Sequence, residues 1–135
     1  MKLQKIATDI RFMQFFGHNC HNLIKGETFF VDHPELASLY ETYEAIYDSI
    51  VERAIGINEE IDLLEIQQEA VQTLSKAKIP NDFTSAFKSL LTYEKYICKQ
   101  VEDILEGYSE GTRQFLGNVA DQSEARQFKL KQRIG

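Results

Sequence analysis

The chain is 135 residues long, with 43% hydrophobic and 27% charged residues and a formal net charge of −6. Seven Gly and two Pro exclude a collagen-like or low-complexity polymer, and the length fits one globular domain over 1–135. Twenty-one acidic against fifteen basic side chains argue against a dedicated nucleic-acid binder, which carries a basic stripe.

In chain order, the first predicted helix carries Leu3, Ile6, Ile10, Met13, Gly17, Cys20 and Ile24 on one face, at steps of three and four. Lys25-Gly26 ends it, with Gly26 placed as a C′ residue. The second starts near Asp32-His33-Pro34, with Asp32 as N-cap and Pro34 in the first turn. Its stripe is Leu36, Tyr40, Tyr43, Tyr47, Ile50 and Ala54, and Gly56 stops it. Residues 58–78 mix charge with Ile61, Leu64, Val71 and Leu74 and predict one or two short helices. After the break at Pro80-Asn81-Asp82, a long helix runs from Phe83 through Phe87, Leu90, Ile97 and Val101 to Tyr108, with Glu94 interrupting its apolar face. The last begins near Thr112 and carries Leu116, Val119, Ser123, Leu130 and Ile134. No segment alternates as a strand would. The expectation is an all-α four-helix bundle with a short insertion between helices two and three.

Cheap signals narrow the setting. Cys20 and Cys98 are too few for a disulfide scaffold and read as reduced thiols in a cytoplasmic protein. The first twelve residues hold Lys2, Lys5, Asp9 and Arg11, which does not suit a signal peptide, and no apolar run approaches the ~20 residues of a membrane span.

The chemistry-bearing residues sit early. His18, His21 and His33 are followed by Asp48 and Glu52, spaced i,i+4 on one helix face. Such a set suits iron, zinc or manganese. A helical hairpin brings His21 and His33 together. Asp48 lies fifteen residues beyond His33, ~22 Å along a helix axis, so one ion cannot reach both. Either no shared site exists, or the halves meet from different subunits about a twofold axis. The blander accounts are a solvated acidic face with a surface ion pair to Arg53, and core packing for Phe12, Phe15, Phe16 and the tyrosines. His18-Asn19-Cys20-His21 lacks the second ligand pair that a zinc finger needs.

The segment from His21 through Lys25-Gly26, Phe29-Phe30 and His33 to Asp48 and Glu52-Arg53 resembles the Dps family, the mini-ferritins named as DNA-binding proteins from starved cells. The family pattern is His, Lys-Gly four and five residues on, Phe-Phe, a second His at twelve, an Asp fifteen later and a Glu four after that. Each position is filled here at that spacing. The resemblance implies a ferritin-like bundle assembled as a hollow homododecamer. It implies ferroxidase sites across twofold interfaces, with His21 and His33 from one subunit and Asp48 and Glu52 from its neighbour. Fe(II) would be oxidised by hydrogen peroxide, or by oxygen, and stored as ferric mineral, with zinc or manganese as competitors for the site. The larger ferritins use Glu-x-x-His pairs, and this sequence contains none.

Departures from the family qualify these implications. Asn22 stands where an aromatic residue commonly follows the first His, leaving any shielding of the site to Tyr40, Tyr43 or Tyr47. Cys20 is an uncommon neighbour for the first His and one that could be oxidised. Lys129, Lys131 and Arg133 form a basic cluster that reads first as a solvated helix end, so DNA binding is expected to be weak or absent. Glu106, Glu110 and Asp121 are guesses for an acidic entry pore. The competing readings are a DNA-binding, nucleoid-compacting cage with a secondary metal role, and a non-catalytic helical-bundle structural protein.

Overall fold

Helical periodicity becomes helix nearly throughout the described residues, 2–135, of this computed structural model. The elements are α1 (Lys2–Leu23), α2 (Phe29–Gly56), α3 (Leu63–Lys76), α4 (Phe83–Ile104) and α5 (Glu110–Ile134), with a single 3₁₀ turn at Leu105–Gly107. No strand occurs among the described residues. α1 packs against α2, α3 and α4, and α4 packs against α5. The result is an all-helical bundle, with its core drawn from the predicted stripes of α1, α2, α4 and α5.

Local chemistry sets most of the helix starts. Asp62, Asp82 and Ser109 each accept a hydrogen bond from the backbone N–H three residues on, which caps α3, α4 and α5. Gly17 is buried in α1, and a Cβ placed there would stand 3.5 Å from Cβ of Tyr40, so α1 and α2 approach closely at this level. Gly26 takes φ +155°, a conformation that favours glycine, and its carbonyl accepts from Phe29 N–H at 3.2 Å as the chain turns into α2.

Several boundaries differ from expectation. α2 begins at Phe29, with Thr28 at the N-cap position, so Asp32 is not the cap but a buried residue inside the helix. Pro34 therefore lies in the second turn, where its missing N–H leaves the Phe30 carbonyl without its helical partner. The long helix of the second half stops at Ile104, short of Tyr108, and α5 starts two residues before Thr112. Residues 58–78 give one helix, α3. Its buried residues are Ile66 and Ala70, whereas Leu64 and Val71 face solvent.

Glu94 is core-facing and fully buried. Its carboxylate accepts from the Tyr43 hydroxyl at 2.8 Å and the Ser123 hydroxyl at 2.8 Å, and from Arg126 Nε and Nη2 at 2.6 and 3.0 Å. One buried charge thus joins α2, α4 and α5, with every oxygen satisfied. Burial, together with the Glu94 charge, pushes the Tyr43 phenol well above its ordinary range.

Candidate metal-binding half-sites

The hairpin between α1 and α2 brings His21 and His33 into contact. Their rings stack with centroids 3.6 Å apart and planes 18° from parallel. Each Nδ1 lies 2.8 Å from the other residue's backbone carbonyl. A carbonyl can only accept, so each Nδ1 carries the proton and donates. In the neutral ring that leaves Nε2 with its lone pair on both residues, the state in which imidazole ligates a metal. Phe29 stacks on the other face of His33, with centroids 4.3 Å apart. His33 is therefore sandwiched, and its ring plane is set from both sides.

Two residues neighbour this pair, of which sequence reasoning had named Tyr40 as a candidate shield and had given His18 no place at the site. His18 is exposed and stacks on Tyr40 at 4.1 Å, and Tyr40 meets His21 edge-on at 5.4 Å. The i,i+3 spacing of His18 and His21 was the available signal. Of the three tyrosines considered for shielding, Tyr40 is the one with a ring contact to the pair. Tyr43 is bound to Glu94, and the Tyr47 hydroxyl accepts from Gln67 while Arg11 lies 3.5 Å from its ring centroid. Cys20 is fully buried, and burial pushes its thiol up to about 12. A raised thiol disfavours the reactive thiolate.

Asp48 and Glu52 are exposed, one turn apart near the other end of α2. α2 is unbroken between Phe29 and Gly56, so the imidazole pair and the carboxylate pair are held apart on one rod. Among the described residues, no three His, Cys, Asp or Glu side chains gather in one chain as a metal site. The surface ion pair considered for Arg53 does not form among the described residues. Its guanidinium lies 4.7 Å from the Phe115 ring centroid, where Glu52, Arg53, Ile57 and Phe115 line a shallow groove.

The basic cluster near the end of α5 is also reassigned in part. Lys129 and Lys131 are exposed, but Arg133 forms a two-point ion pair with Asp32, Nη2 to Oδ2 at 2.6 Å and Nε to Oδ1 at 3.0 Å. The Arg133 guanidinium beside Asp32 holds its carboxyl below the ordinary aspartate value. Glu106, Glu110 and Asp121 are exposed around the turn into α5 and along it.

No protein-family model and no curated protein matches this chain. Among solved structures it is similar to the crystal structure of Helicobacter cinaedi CAIP, with a TM-score of 0.79 at 18% identity over 99% of this chain and 97% of that one. Likeness at that identity shows a shared fold. No helix among the described residues is long and apolar enough to cross a membrane.

Proposed function

We propose that this chain is a ferritin-like subunit of the Dps kind, which oxidises Fe(II) and stores ferric mineral in a hollow homododecamer in the cytoplasm. The observation that carries this reading is the His21–His33 pair, locked by mutual Nδ1–H···O=C bonds with both Nε2 atoms left as donors to a metal. Fe(II) is the substrate. It would be taken up where His21 and His33 of one subunit meet Asp48 and Glu52 of a neighbour.

With both Nδ1 atoms engaged by carbonyls, the pair offers two Nε2 donors, one on each ring, which supports a two-ion site. The carboxylates add hard oxygen ligands, which favour Fe(III) over Fe(II) and draw the oxidation forward. With hydrogen peroxide as oxidant, two Fe(II) give one electron each, the O–O bond breaks, and two protons complete two waters. A shell of subunits with net charge −6 attracts the incoming cation.

Exposed apolar side chains support the assembly. Leu23, Phe30 and Val31 are 66%, 88% and 73% exposed around the imidazole end, and Ile55 and Ile57 are 55% and 38% exposed beyond the carboxylates. An antiparallel pairing of two α2 helices would cover both sets while closing two sites by symmetry. DNA binding has less support, because Arg133 is engaged by Asp32 and Lys129 and Lys131 are left as the free cations of that cluster.

The test is oxidation of Fe(II) by peroxide, followed by absorbance of the ferric product. The wild type should outpace buffer, and Asp48→Ala/Glu52→Ala should fall to the buffer rate. A wild type no faster than buffer, or a double variant as fast as wild type, overturns the proposal.

A further inference from the structure

The turns of α2 that carry His33 keep their first backbone bonds, Val31 and Asp32 N–H to the Thr28 carbonyl, but lack two usual local supports. Thr28, at the N-cap position, makes no side-chain cap bond to the backbone, and Pro34 removes one helical hydrogen bond. What fixes this segment comes from the far end of the sequence. Asp32, 2% exposed and adjacent to His33, receives Arg133 in a two-point ion pair and the Thr28 hydroxyl on the same carboxylate. The third side of the guanidinium is used too: Arg133 Nη1 donates to the Thr84 hydroxyl at 3.1 Å, and the Phe87 ring centroid lies 5.3 Å from Cζ. One side chain therefore ties the start of α2 to the start of α4 and the end of α5.

That tie reaches the imidazole through packing. Phe29, next to Thr28, stacks on His33 and touches Phe83 at the start of α4, with ring centroids 6.4 Å apart. The plane of His33 thus depends on how the first turn of α2 sits against α4. The Nδ1 bond to the His21 carbonyl in turn requires that turn to stay against α1.

We infer that Arg133 is a positioning residue for the His33 imidazole, acting through Asp32 and the first turn of α2. The inference rests on the proposal that His33 ligates a metal. Arg133 itself touches no ligand. It holds the ring so that Nδ1 donates to the backbone and Nε2 stays available. Released, the turn would let His33 leave its sandwich and its carbonyl partner, and the half-site would lose a fixed donor.

Co(II) binding to the assembled, iron-free protein tests this without catalysis. Arg133→Gln should weaken Co(II) about tenfold, the usual scale for loss of a group that orients a ligand. Arg133→Lys, which keeps the charge but not the fork, should fall between Arg133→Gln and wild type. Ile97→Ala opens a core cavity in α4 beside Phe12 and Met13 of α1, away from both half-sites, and should lower stability while leaving Co(II) affinity unchanged. Equal Co(II) affinity in wild type and Arg133→Gln, or an equal loss in Ile97→Ala, overturns the positioning role. A wild type that binds no Co(II) defeats the metal reading instead. A crystal structure of Arg133→Gln then still decides the positioning: His33 away from the His21 carbonyl supports it, and a ring left at 2.8 Å overturns it.

Discussion

At the scale of single residues, the buried charges govern how this chain tolerates change. Glu94 is held by four donors from three side chains, and without its carboxylate the buried Arg126 guanidinium loses its counter-charge. Removing one member of a buried ion pair costs about 3–5 kcal/mol, because the other charge stays desolvated. Glu94→Ala should therefore lose that much in urea unfolding, whereas Tyr43→Phe, which removes one hydrogen bond and no charge, should lose about 1–2 kcal/mol. Equal small losses for both would mean that the network is not closed from solvent. Asp32 gives stability a pH dependence. Its folded value is depressed, chiefly by the Arg133 hydrogen bonds, so its contribution is complete above the ordinary aspartate value near 4 and is lost as pH falls through the folded value. Between about pH 5 and about pH 2 the urea midpoint of the wild type should drop more steeply than that of Asp32→Asn, which has no proton to bind there. Parallel profiles would show that Asp32 contributes nothing to acid unfolding.

At the scale of elements, the contact between α1 and α2 sets the hairpin that brings His21 to His33. Gly17 sits buried in that contact, and a Cβ there would meet Tyr40 Cβ at an ordinary 3.5 Å. Gly17→Ala should therefore fold with stability unchanged or raised by up to about 1 kcal/mol, since Ala is the better helix former. Gly17→Leu has no such room and should destabilise by about 1–3 kcal/mol through overpacking. Urea unfolding of the two variants checks the sign of each. Helical stripes of this kind were legible in the sequence, because burial on one face leaves a period of 3.6 that one chain displays. The stop at Gly56 and the break at Pro80-Asn81-Asp82 were legible for local chemical reasons, whereas α1 ends at Leu23, three residues before the expected Gly26. The start of α2 was not. Asp32 has the form of a cap, and its actual partner, Arg133, lies 101 residues away, where no local pattern points to it. Glu94 was noticed as an interruption, but its partners are 29 to 51 residues distant and so had no signature. The half-sites divide in the same way. The His21 and His33 spacing predicted their meeting, while the mutual carbonyl bonds that fix their tautomers depend on how two backbones pass each other. The burying face of α3 was not legible, because it is Ile66 and Ala70 that are buried while Leu64 and Val71 stay exposed, an assignment that local hydrophobicity alone does not make.

At the scale of the whole molecule, α2 acts as a spacer. His33 and Asp48 are fifteen residues apart on one unbroken helix, ~22 Å, so a site using both ends must draw them from two chains. Subunit mixing tests this directly. A variant with His21→Ala and His33→Ala keeps both carboxylates, and one with Asp48→Ala and Glu52→Ala keeps both imidazoles. Each alone should be inactive in Fe(II) oxidation. Unfolded together and reassembled in equal amounts, half of the twofold pairs should be mixed. In each mixed pair one site joins intact imidazoles to intact carboxylates, and the other joins two dead halves. Random pairing therefore restores about a quarter of the wild-type sites, and activity should return to about that level. Mixing the intact, already assembled variants without unfolding should restore none unless subunits exchange. If sites formed within single chains, no mixture would recover activity, since every chain would lack half of its ligands. Recovery near a quarter thus separates a shared site from a private one by counting, independently of how fast any one site turns over.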